Sequence, residues 1–396
     1  MKKILVSGAS IAGPAVAYWL HRYGFEVTVV EKAATVRGGG YPIDIRGTAI
    51  EVVEQMGLLP RLQEAHVDSR KLSFLDADSG LIAAIRPEAI TGGVEGRDLE
   101  VRRGDLADVL YATIRDEVEV IFEDSIATLQ NGADAVEVVF RSGARRTFDL
   151  VIGADGLHSN TRGLVFGPEE QYHRYLGYSF AGFTMPNELG LEHEALMWNV
   201  PGRAAVLYAP GKAETLHGFL TFAEEVPPYG AFRNPEAQRE LVAARFPENA
   251  WQLPQMLAAM RCADDLFFDT VSQIHMPAWS QGRVVLVGDA AAAPSFMSGQ
   301  GSSIALVTAY LLAGELATHA DHAVAFTAYE QAARQFVELN QALAYAGAAA
   351  VAPRTSEELA LRNKALTVAS DEPALDAGTA GRSANSALTL PTYATA

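Results

Sequence analysis

Residues 4–20 decide the fold, and they read Ile-Leu-Val-Ser-Gly-Ala-Ser-Ile-Ala-Gly-Pro-Ala-Val-Ala-Tyr-Trp-Leu. The apolar start predicts a strand, Gly8 and Gly13 predict a tight turn, and the apolar run that follows predicts a helix. Glu26 to Val30 then predicts a second strand, which ends at Glu31. A strand, a glycine turn, a helix, a strand and an acid in this order are typical of a dinucleotide-binding β-α-β unit.

This turn suits a pyrophosphate. Gly8 permits the tight turn, Gly13 lets helix and strand approach closely, and the helix start offers free N–H groups with partial positive charge. Ser10 replaces the usual second glycine and adds a small hydrogen-bond donor, while Glu31 is spaced to accept hydrogen bonds from a ribose. The turn alone does not separate NAD from FAD. The candidate contacts are Gly8, Ser10, Ile11, Ala12, Gly13, Glu31 and Lys32.

A second glycine-rich turn lies in the last third of the chain. Arg283 to Val287 predicts an apolar strand, Gly288-Asp289 follows it, and a loop rich in small residues then opens an apolar helix near Gly301. A carboxylate at a strand end can accept hydrogen bonds from ribityl hydroxyls, and a helix start directs N–H groups at an anion. Two such turns indicate one long, two-ended cofactor. The alternative is an ordinary glycine-rich helix cap.

Gly153-Ala-Asp155-Gly156 forms a third turn between these two. Taken in order, the three turns resemble the signatures of the single-component FAD-dependent aromatic monooxygenases, the p-hydroxybenzoate hydroxylase class. The resemblance covers about residues 1–350. The length and the long C-terminal helix are closer to the tetracycline-modifying monooxygenases than to longer relatives of that class.

The resemblance implies a tightly bound, non-covalent FAD and NAD(P)H as a transient co-substrate. Arg103 matches the family arginine that contacts the phosphate or ribityl region, and Pro294 matches a residue beside the isoalloxazine ring. Arg46 lies where such enzymes place a basic residue near the mobile flavin, and Asp155 serves both FAD and NAD(P)H. A surface arginine at a helix start is the alternative for Arg103. The other expected FAD contacts are Asp289, Gly299, Gly301 and Ser302.

The implied reaction is the reduction of FAD by NAD(P)H, addition of O2 at flavin C4a, and transfer of one oxygen from the hydroperoxide to an aromatic or polycyclic small molecule. No catalytic side chain is required beyond the flavin, and the histidines show no metal-ligand spacing. The expected substrate contacts are Arg203, His217, Phe219, Phe183, Phe296 and Met297. Ordinary core packing is the alternative for the aromatic residues, and a solvent-facing strand position is the alternative for Arg203 and His217.

The expected fold is α/β: a Rossmann-like FAD-binding domain with an inserted antiparallel β-sheet substrate domain and a long C-terminal helix. Alternating aromatic and β-branched residues after about Leu164 predict the inserted sheet. We expect the FAD-binding domain to comprise 1–70, 97–163 and 280–320, and the substrate domain to comprise 71–96 and 164–279. We expect a helical segment over 321–366 and a loosely ordered tail over 367–396.

Composition and charge limit the binding partners and the cellular compartment that we expect for this chain. A formal net charge of -17 argues against nucleic acid and anionic membranes as partners. The single cysteine, Cys262, excludes an internal disulfide and favours a reducing cytoplasm. Because a predicted core strand follows Met-Lys-Lys almost directly, we expect no signal peptide. Glu315 interrupts the longest apolar run, so no membrane helix is expected. We expect a monomer or a homodimer.

Two other functions remain open from the sequence. A flavin-dependent dehydrogenase, reductase or epoxidase of the same superfamily shares the three turns. A non-catalytic flavoprotein that sequesters a hydrophobic ligand is a second alternative. Oxygen uptake coupled to NADPH oxidation distinguishes the monooxygenase from both.

Overall fold

The computed structural model describes residues 1–36, 38, 40–94, 96–232, 234–371 and 378–394. The described strands, in chain order, are β1 (Lys3–Ser7), β2 (Glu26–Val30), β3 (Pro42–Ile45), β4 (Lys71–Leu75), β5 (Leu81–Ile85), β6 (Leu99–Arg102), β7 (Glu119–Ile121), β8 (Ile126–Asn131), β9 (Val136–Phe140), β10 (Arg145–Phe148), β11 (Leu150–Gly153), β12 (His173–Pro186), β13 (Glu192–Val200), β14 (Arg203–Lys212), β15 (Thr215–Ala223), β16 (Phe267–Ile274), β17 (Ser280–Gln281) and β18 (Val284–Leu286).

The described helices are α1 (Ala12–Arg22), α2 (Thr48–Gln55), α3 (Leu59–Glu64), α4 (Glu88–Thr91), α5 (Arg103–Ala112), α6 (Asn160–Val165), α7 (Pro235–Arg245), α8 (Leu253–Cys262), α9 (Asp289–Ala292), α10 (Gly301–Thr318), α11 (His322–Val351), α12 (Ser356–Asp371) and α13 (Thr379–Asn385). Single 3-10 turns lie at Glu169–Gln171 and Phe296–Ser298.

The first sheet has six strands in the order β17-β18-β11-β1-β2-β7, and its pairs are parallel except for β17 with β18. Its strands are nearly continuous apolar runs because both faces are covered. Ile4 and Val6 pack into the cluster formed with α1 and α10, whereas Leu5 packs with residues of the three-stranded sheet β10-β9-β8. The sheet therefore lies between a helical layer and a small β layer.

The three glycine turns all follow carboxyl ends of parallel strands in this sheet. Gly8 follows β1, Asp155 follows β11, and Gly288 follows β18. Since β11, β1 and β18 are neighbours, the turns meet at one edge of the sheet. This edge is where open α/β sheets bind ligands.

The second sheet has seven strands in the order β16-β12-β15-β14-β13-β4-β5, antiparallel except for β13 with β4. One face packs on α7 and α8 through residues that include Leu216, Leu220 and Phe222. Because side chains alternate along a strand, His217 and Phe219 lie on the opposite face. We call this opposite face the pocket face; it turns toward the loop Pro294–Gly301 and the two-stranded ribbon of β3 and β6.

The fold class expected from the sequence is confirmed. A Rossmann-like α/β layer carries an inserted, mainly antiparallel sheet, and α11 forms a long C-terminal helix of 30 residues. Among the described helices, α10 alone is long and apolar enough to cross a membrane, by length and composition only. Of its residues, 78% are buried inside the molecule, and the helix packs on α1 and α11, so its apolarity is accounted for by the core.

The C-terminal tail differs from the expectation of loose order. Helix α12 continues to Asp371, and α13 is followed by a segment that packs on the core cluster between the first sheet and its helices. Thr48 donates a hydrogen bond to Leu388 O at 2.7 Å, and the Tyr393 hydroxyl donates to the Glu315 carboxylate at 2.7 Å. Few residues of the tail are apolar, so these contacts with the core were not predicted from the sequence. Residues 372–377 and 395–396 of the expected tail lie outside the described residues.

Candidate active site

The first glycine turn leaves no room for side chains. Gly8 has φ +106°, and a Cβ there would lie 2.6 Å from Ala154 O. A Cβ on Gly13 would lie 1.9 Å from Gly8 O. Both positions therefore require glycine, and the backbone of the turn is held close to the start of α1. That helix start carries no side-chain cap, so its N–H groups stay available to an anion.

The residues around this turn are joined by charged and polar contacts. Glu31 accepts hydrogen bonds from Ala9 N and Ala33 N, each at 2.9 Å, so its carboxylate lies directly beside the turn. Arg103 Nη2 donates to Ser10 Oγ at 2.9 Å. Ser10, which stands where the second glycine is usual, thus holds a guanidinium beside the turn. Lys32 is exposed next to Glu31.

The third turn packs directly on the first. Gly288 has φ +60°, and a Cβ there would lie 2.9 Å from the Ala12 side chain. Asp289 follows, and its Oδ1 is buried without a hydrogen-bond partner among the described residues. Burial raises the pKa of Asp289, and the Arg103 guanidinium opposes this rise. A Cβ on Gly301 would lie 3.7 Å from Asp289 Oδ1, so the carboxylate lies beside the start of α10.

These features fit a dinucleotide cofactor with a sugar-alcohol chain. The glycine turn provides a backbone cradle and an uncapped helix start for a pyrophosphate. Asp289 provides a buried carboxylate oxygen that lacks a donor, and such an oxygen is costly to leave unpaired. The structure brings together the expected cofactor residues from the first and third turns, with Arg103 between them.

The middle turn is held largely by its own contacts. Asp155 Oδ2 accepts hydrogen bonds from Thr161 N and Thr161 Oγ1, each at 2.8 Å, and the carboxylate also accepts from the Ser159 hydroxyl. Its carboxylate therefore orders the start of α6. Arg162 on that helix is fully buried and donates to Ala290 O at 3.1 Å, which connects the middle turn to the third.

Arg46 is buried beside the third turn. Its Nη2 lies 2.6 Å from Asp44 Oδ1, and its backbone N donates to Ser303 Oγ at 3.2 Å. A Cβ on Gly299 would lie 3.3 Å from Asp44 Oδ2. The ion pair of Asp44 and Arg46 therefore lies under the turn that opens α10. Ser302, on the first turn of α10, is buried.

The loop Pro294–Gly301 carries an aromatic cluster. Phe296 stacks on Phe180 with ring centroids 4.4 Å apart, and Tyr41 meets its edge at 5.9 Å. Phe219 lies 6.1 Å from Phe296 and 5.7 Å from Tyr41. Met297 is buried behind Phe296, in a cluster with Phe180. The cluster joins the cofactor edge to the pocket face.

The backbone of this loop is fixed. Ser295 has φ +86°, which is rare for a residue with a side chain, and its Oγ accepts from Met297 N at 3.3 Å. Buried Gln273 donates to Pro294 O at 3.0 Å and to Gln341 O at 2.7 Å. Strained backbone that is held in place by surrounding contacts is concentrated at functional sites.

His217 lies on the pocket face, directly across from Tyr208 and Thr184 on the neighbouring strands. Burial lowers the pKa of His217, and the nearby Arg102 lowers it further. The imidazole is therefore neutral near pH 7. It offers the pocket one N–H donor and one acceptor nitrogen.

Two expected substrate residues lie elsewhere. Side chains alternate between the two faces of a strand, and Phe183 is three residues beyond Phe180. Phe183 therefore lies on the helix-covered face of the sheet, where it packs in the core against Gly218. Arg203 is at the far end of β14, where it pairs with Glu248 and donates to Arg245 O at 2.8 Å. Assigning these two residues to the pocket was wrong.

The comparisons with known proteins agree with this geometry. The sequence family described as FAD binding domain matches residues 1–342. The chain belongs to this family. It is an FAD-dependent monooxygenase, so the sequence-based expectation of FAD is confirmed, and NAD(P)H is the reductant standard for such enzymes.

Relatives of this monooxygenase cover most of its length. A flavin-dependent monooxygenase from an unknown prokaryotic organism is 40% identical over 343 residues, which cover 86% of this chain and 88% of that protein. An uncharacterized protein of Mycobacterium tuberculosis is 44% identical over 360 residues, covering 90% and 96%. The crystal structure of the tetracycline destructase Tet(55) matches with a TM-score of 0.85 at 35% identity and covers 99% of each chain.

Several residues of the monooxygenase site escaped the sequence reasoning. Gln300, Asp44 and Glu100 lie beside the expected site, and no motif contains the last two. Gln300 is 1% exposed, and neither end of its amide has a hydrogen-bond partner among the described residues. Within the described part of the chain, no group of three or more His, Cys, Asp or Glu side chains is arranged so that it could hold a metal ion.

Proposed function

We propose that this monooxygenase hydroxylates a planar aromatic or polycyclic small molecule that lies between the loop Pro294–Gly301 and the pocket face. The observation that carries the proposal is the aromatic cluster of Tyr41, Phe180, Phe219 and Phe296 beside the third turn. Clustered aromatic side chains bind planar rings through stacking and edge contacts. The similarity to Tet(55) supports a polycyclic substrate.

We assign the two ends of FAD to the two outer turns. Gly8, Gly13 and the start of α1 hold the pyrophosphate with Arg103, and Asp289 accepts hydrogen bonds from the ribityl chain. The start of α10, with Gly301 and Ser302, faces the flavin ring. FAD supplies the oxygen-transfer chemistry when bound. The chain itself orients the substrate and excludes water from the reacting atoms.

The side chains of the pocket face have separate roles in this proposal. His217 gives a polar contact to the substrate, Phe219 and Phe296 give apolar contacts, and Met297 supports Phe296 from behind. Asp155 orders the middle turn, against which NAD(P)H docks transiently. We also propose a cytoplasmic enzyme that acts as a monomer or homodimer, in keeping with its single free cysteine.

The experiment is a screen of NADPH oxidation by the FAD-loaded enzyme against aromatic and polycyclic compounds, tetracycline included. We expect an active compound to stimulate NADPH oxidation and O2 uptake together and to gain one oxygen atom by mass spectrometry. Phe296→Leu should weaken its apparent affinity without loss of FAD. Phe183→Leu, the matched control on the opposite face, should leave that affinity unchanged. If no compound is oxygenated, or if both variants lose affinity equally, the proposal fails.

A further inference from the structure

Arg102, at the end of β6, is a half-buried arginine on the wall of the pocket. The preceding residue, Val101, is fully buried in the core, so alternation directs Arg102 to the opposite side of the ribbon of β3 and β6. Asp44 of β3 lies on that same side. A Cβ on Gly299 would lie 3.3 Å from Asp44 Oδ2, so this side of the ribbon faces the loop Pro294–Gly301. Arg102 therefore faces the pocket.

Two contacts hold this end of β6 against the pocket face. Before Arg102, a β6 carbonyl accepts a hydrogen bond from Val67 N at 2.7 Å, and Val67 packs in a cluster that includes Phe219. After Arg102, Arg103 N donates to Tyr41 O at 3.1 Å, and the Tyr41 and Phe219 rings meet edge to face, 5.7 Å apart. Because both flanking contacts lead to Phe219, Arg102 lies beside this part of the pocket face.

The charge of Arg102 has no partner among the described residues: its guanidinium forms neither a hydrogen bond nor an ion pair there. The carboxylates around it are occupied by other groups. Asp44 Oδ1 lies 2.6 Å from Arg46 Nη2. Asp265, on the other side of the pocket wall, accepts a hydrogen bond from Thr184 Oγ1 at 2.6 Å. Because a cation that is partly removed from water and unpaired costs free energy, the guanidinium favours a ligand that supplies the missing charge.

His217 adds a second donor beside this charge. Burial and the Arg102 charge lower the pKa of His217, so the imidazole is neutral near pH 7. A neutral imidazole carries one N–H donor, and a guanidinium carries five. Glu100 is on the same side of β6 but forms no ion pair with Arg102 among the described residues. This part of the pocket wall therefore offers a positive charge and several N–H donors, the arrangement that binds an anionic oxygen.

We propose that Arg102 is a specificity residue that binds an anionic oxygen group of the substrate, with the N–H of His217 as a second donor. The substrate is then a planar aromatic compound that carries a carboxylate or an ionised enol beside the ring held by Phe219. A guanidinium binds a carboxylate through two parallel hydrogen bonds, which a lysine ammonium does not reproduce. This inference rests on the proposed function, because it requires an aromatic ligand in the pocket; the unpaired state of Arg102 does not.

The test measures the Kd of two matched ligands by the change that each causes in the flavin spectrum of the FAD-loaded enzyme. The ligand 2-naphthoate carries a carboxylate, and 2-naphthamide is a neutral compound of nearly the same shape. Wild type should bind 2-naphthoate about tenfold more tightly, the scale expected of a charge-assisted hydrogen bond. Arg102→Gln should lose this preference, and Arg102→Lys should keep part of it. Arg203→Gln, a control that removes a charge paired with Glu248, should keep all of it.

A second ligand pair extends the comparison to an enolate. The compound 4-hydroxycoumarin is ionised at pH 7, and 4-methoxycoumarin is its neutral counterpart. A wild-type preference for the anion in either pair that disappears in Arg102→Gln supports the inference and identifies the group. No preference in both pairs, or a preference that Arg102→Gln retains, would overturn the inference and leave the aromatic class standing. If none of the four compounds binds, the aromatic class of the proposed function has failed.

Two measurements without these ligands test Arg102 in every case. The FAD-loaded Arg102→Gln protein should unfold at a Tm equal to or above that of wild type, because the substitution removes no internal partner. A lower Tm in Arg102→Gln would show that the guanidinium has a partner within the chain and would overturn the inference. The Kd for FAD and the KM for NADPH should also stay unchanged. A tenfold rise in either would assign Arg102 to a cofactor and overturn the inference.

Discussion

The substitution Asp289→Asn should weaken FAD binding while it stabilises the protein without FAD. Asp289 Oδ1 is buried without a partner among the described residues, and burial raises the pKa of this carboxyl. In our assignment, ribityl hydroxyls supply the missing hydrogen bonds. A hydrogen bond to a charged group contributes about 1.5–3 kcal/mol, so its loss should raise the Kd for FAD by roughly 10- to 150-fold.

The apoprotein should respond in the opposite direction. Asparagine removes a carboxylate that is costly to bury in the absence of its partner. The folded pKa of Asp289 lies above its unfolded value, so wild-type apoprotein loses stability as pH rises through that interval. The advantage of Asp289→Asn should therefore increase with pH.

Flavin fluorescence titration gives the Kd, and thermal unfolding of the apoprotein at pH 5 and pH 8 gives the stability. Glu315→Gln is a useful control, because Glu315 is on the same layer but bonds Tyr393 in the tail. Unchanged FAD affinity in Asp289→Asn would refute the assignment of this carboxylate to the ribityl chain. A general loss of stability in the Asp289→Asn apoprotein would refute the claim that the buried carboxylate destabilises the fold when FAD is absent.

Three other variants test separate parts of the site. His217→Gln should raise the KM of an active substrate about fivefold and leave FAD content unchanged; since the burial-lowered pKa keeps His217 neutral, wild-type KM should not change between pH 7 and pH 8 on its account. Arg103→Lys keeps the charge but loses the planar fork, so FAD affinity should fall about tenfold, and unchanged affinity would remove Arg103 from the cofactor site. Tyr393→Phe should reduce the free energy of unfolding by about 1 kcal/mol without changing FAD affinity, and an equal loss of both would tie the tail to the cofactor site.

The glycine turns could be predicted from the sequence because each depends on local chemistry. A strand followed by glycines leaves few conformations, and the structure explains the requirement at Gly8 and Gly13 through backbone contacts that leave no room for Cβ. The expected order of the three turns therefore fixed the cofactor and the family. Asp289 was predicted from the third turn itself, whereas Arg103 was predicted only from the resemblance to the family, and the roles of both residues stay predictions.

The substrate contacts were less predictable because they depend on which alternate residues of each strand face the pocket. Strand β12 contains an irregularity between Tyr175 and Ser179 in its pairing with β16, and the sequence does not reveal which alternate residues face the pocket beyond it. Since Phe180 and Phe183 are the same residue type, the sequence does not reveal which of them faces the pocket.

Oxygen transfer is the central claim, and isotope labelling tests it most directly. The FAD-loaded enzyme would be incubated with NADPH, labelled O2 and the compound that most stimulates NADPH oxidation, and the product would be weighed by mass spectrometry. The account predicts a product that carries one labelled oxygen atom, formed together with NADPH consumption and O2 uptake. A product that gains hydrogen without labelled oxygen, or an unchanged ligand despite stimulated NADPH oxidation, would contradict it.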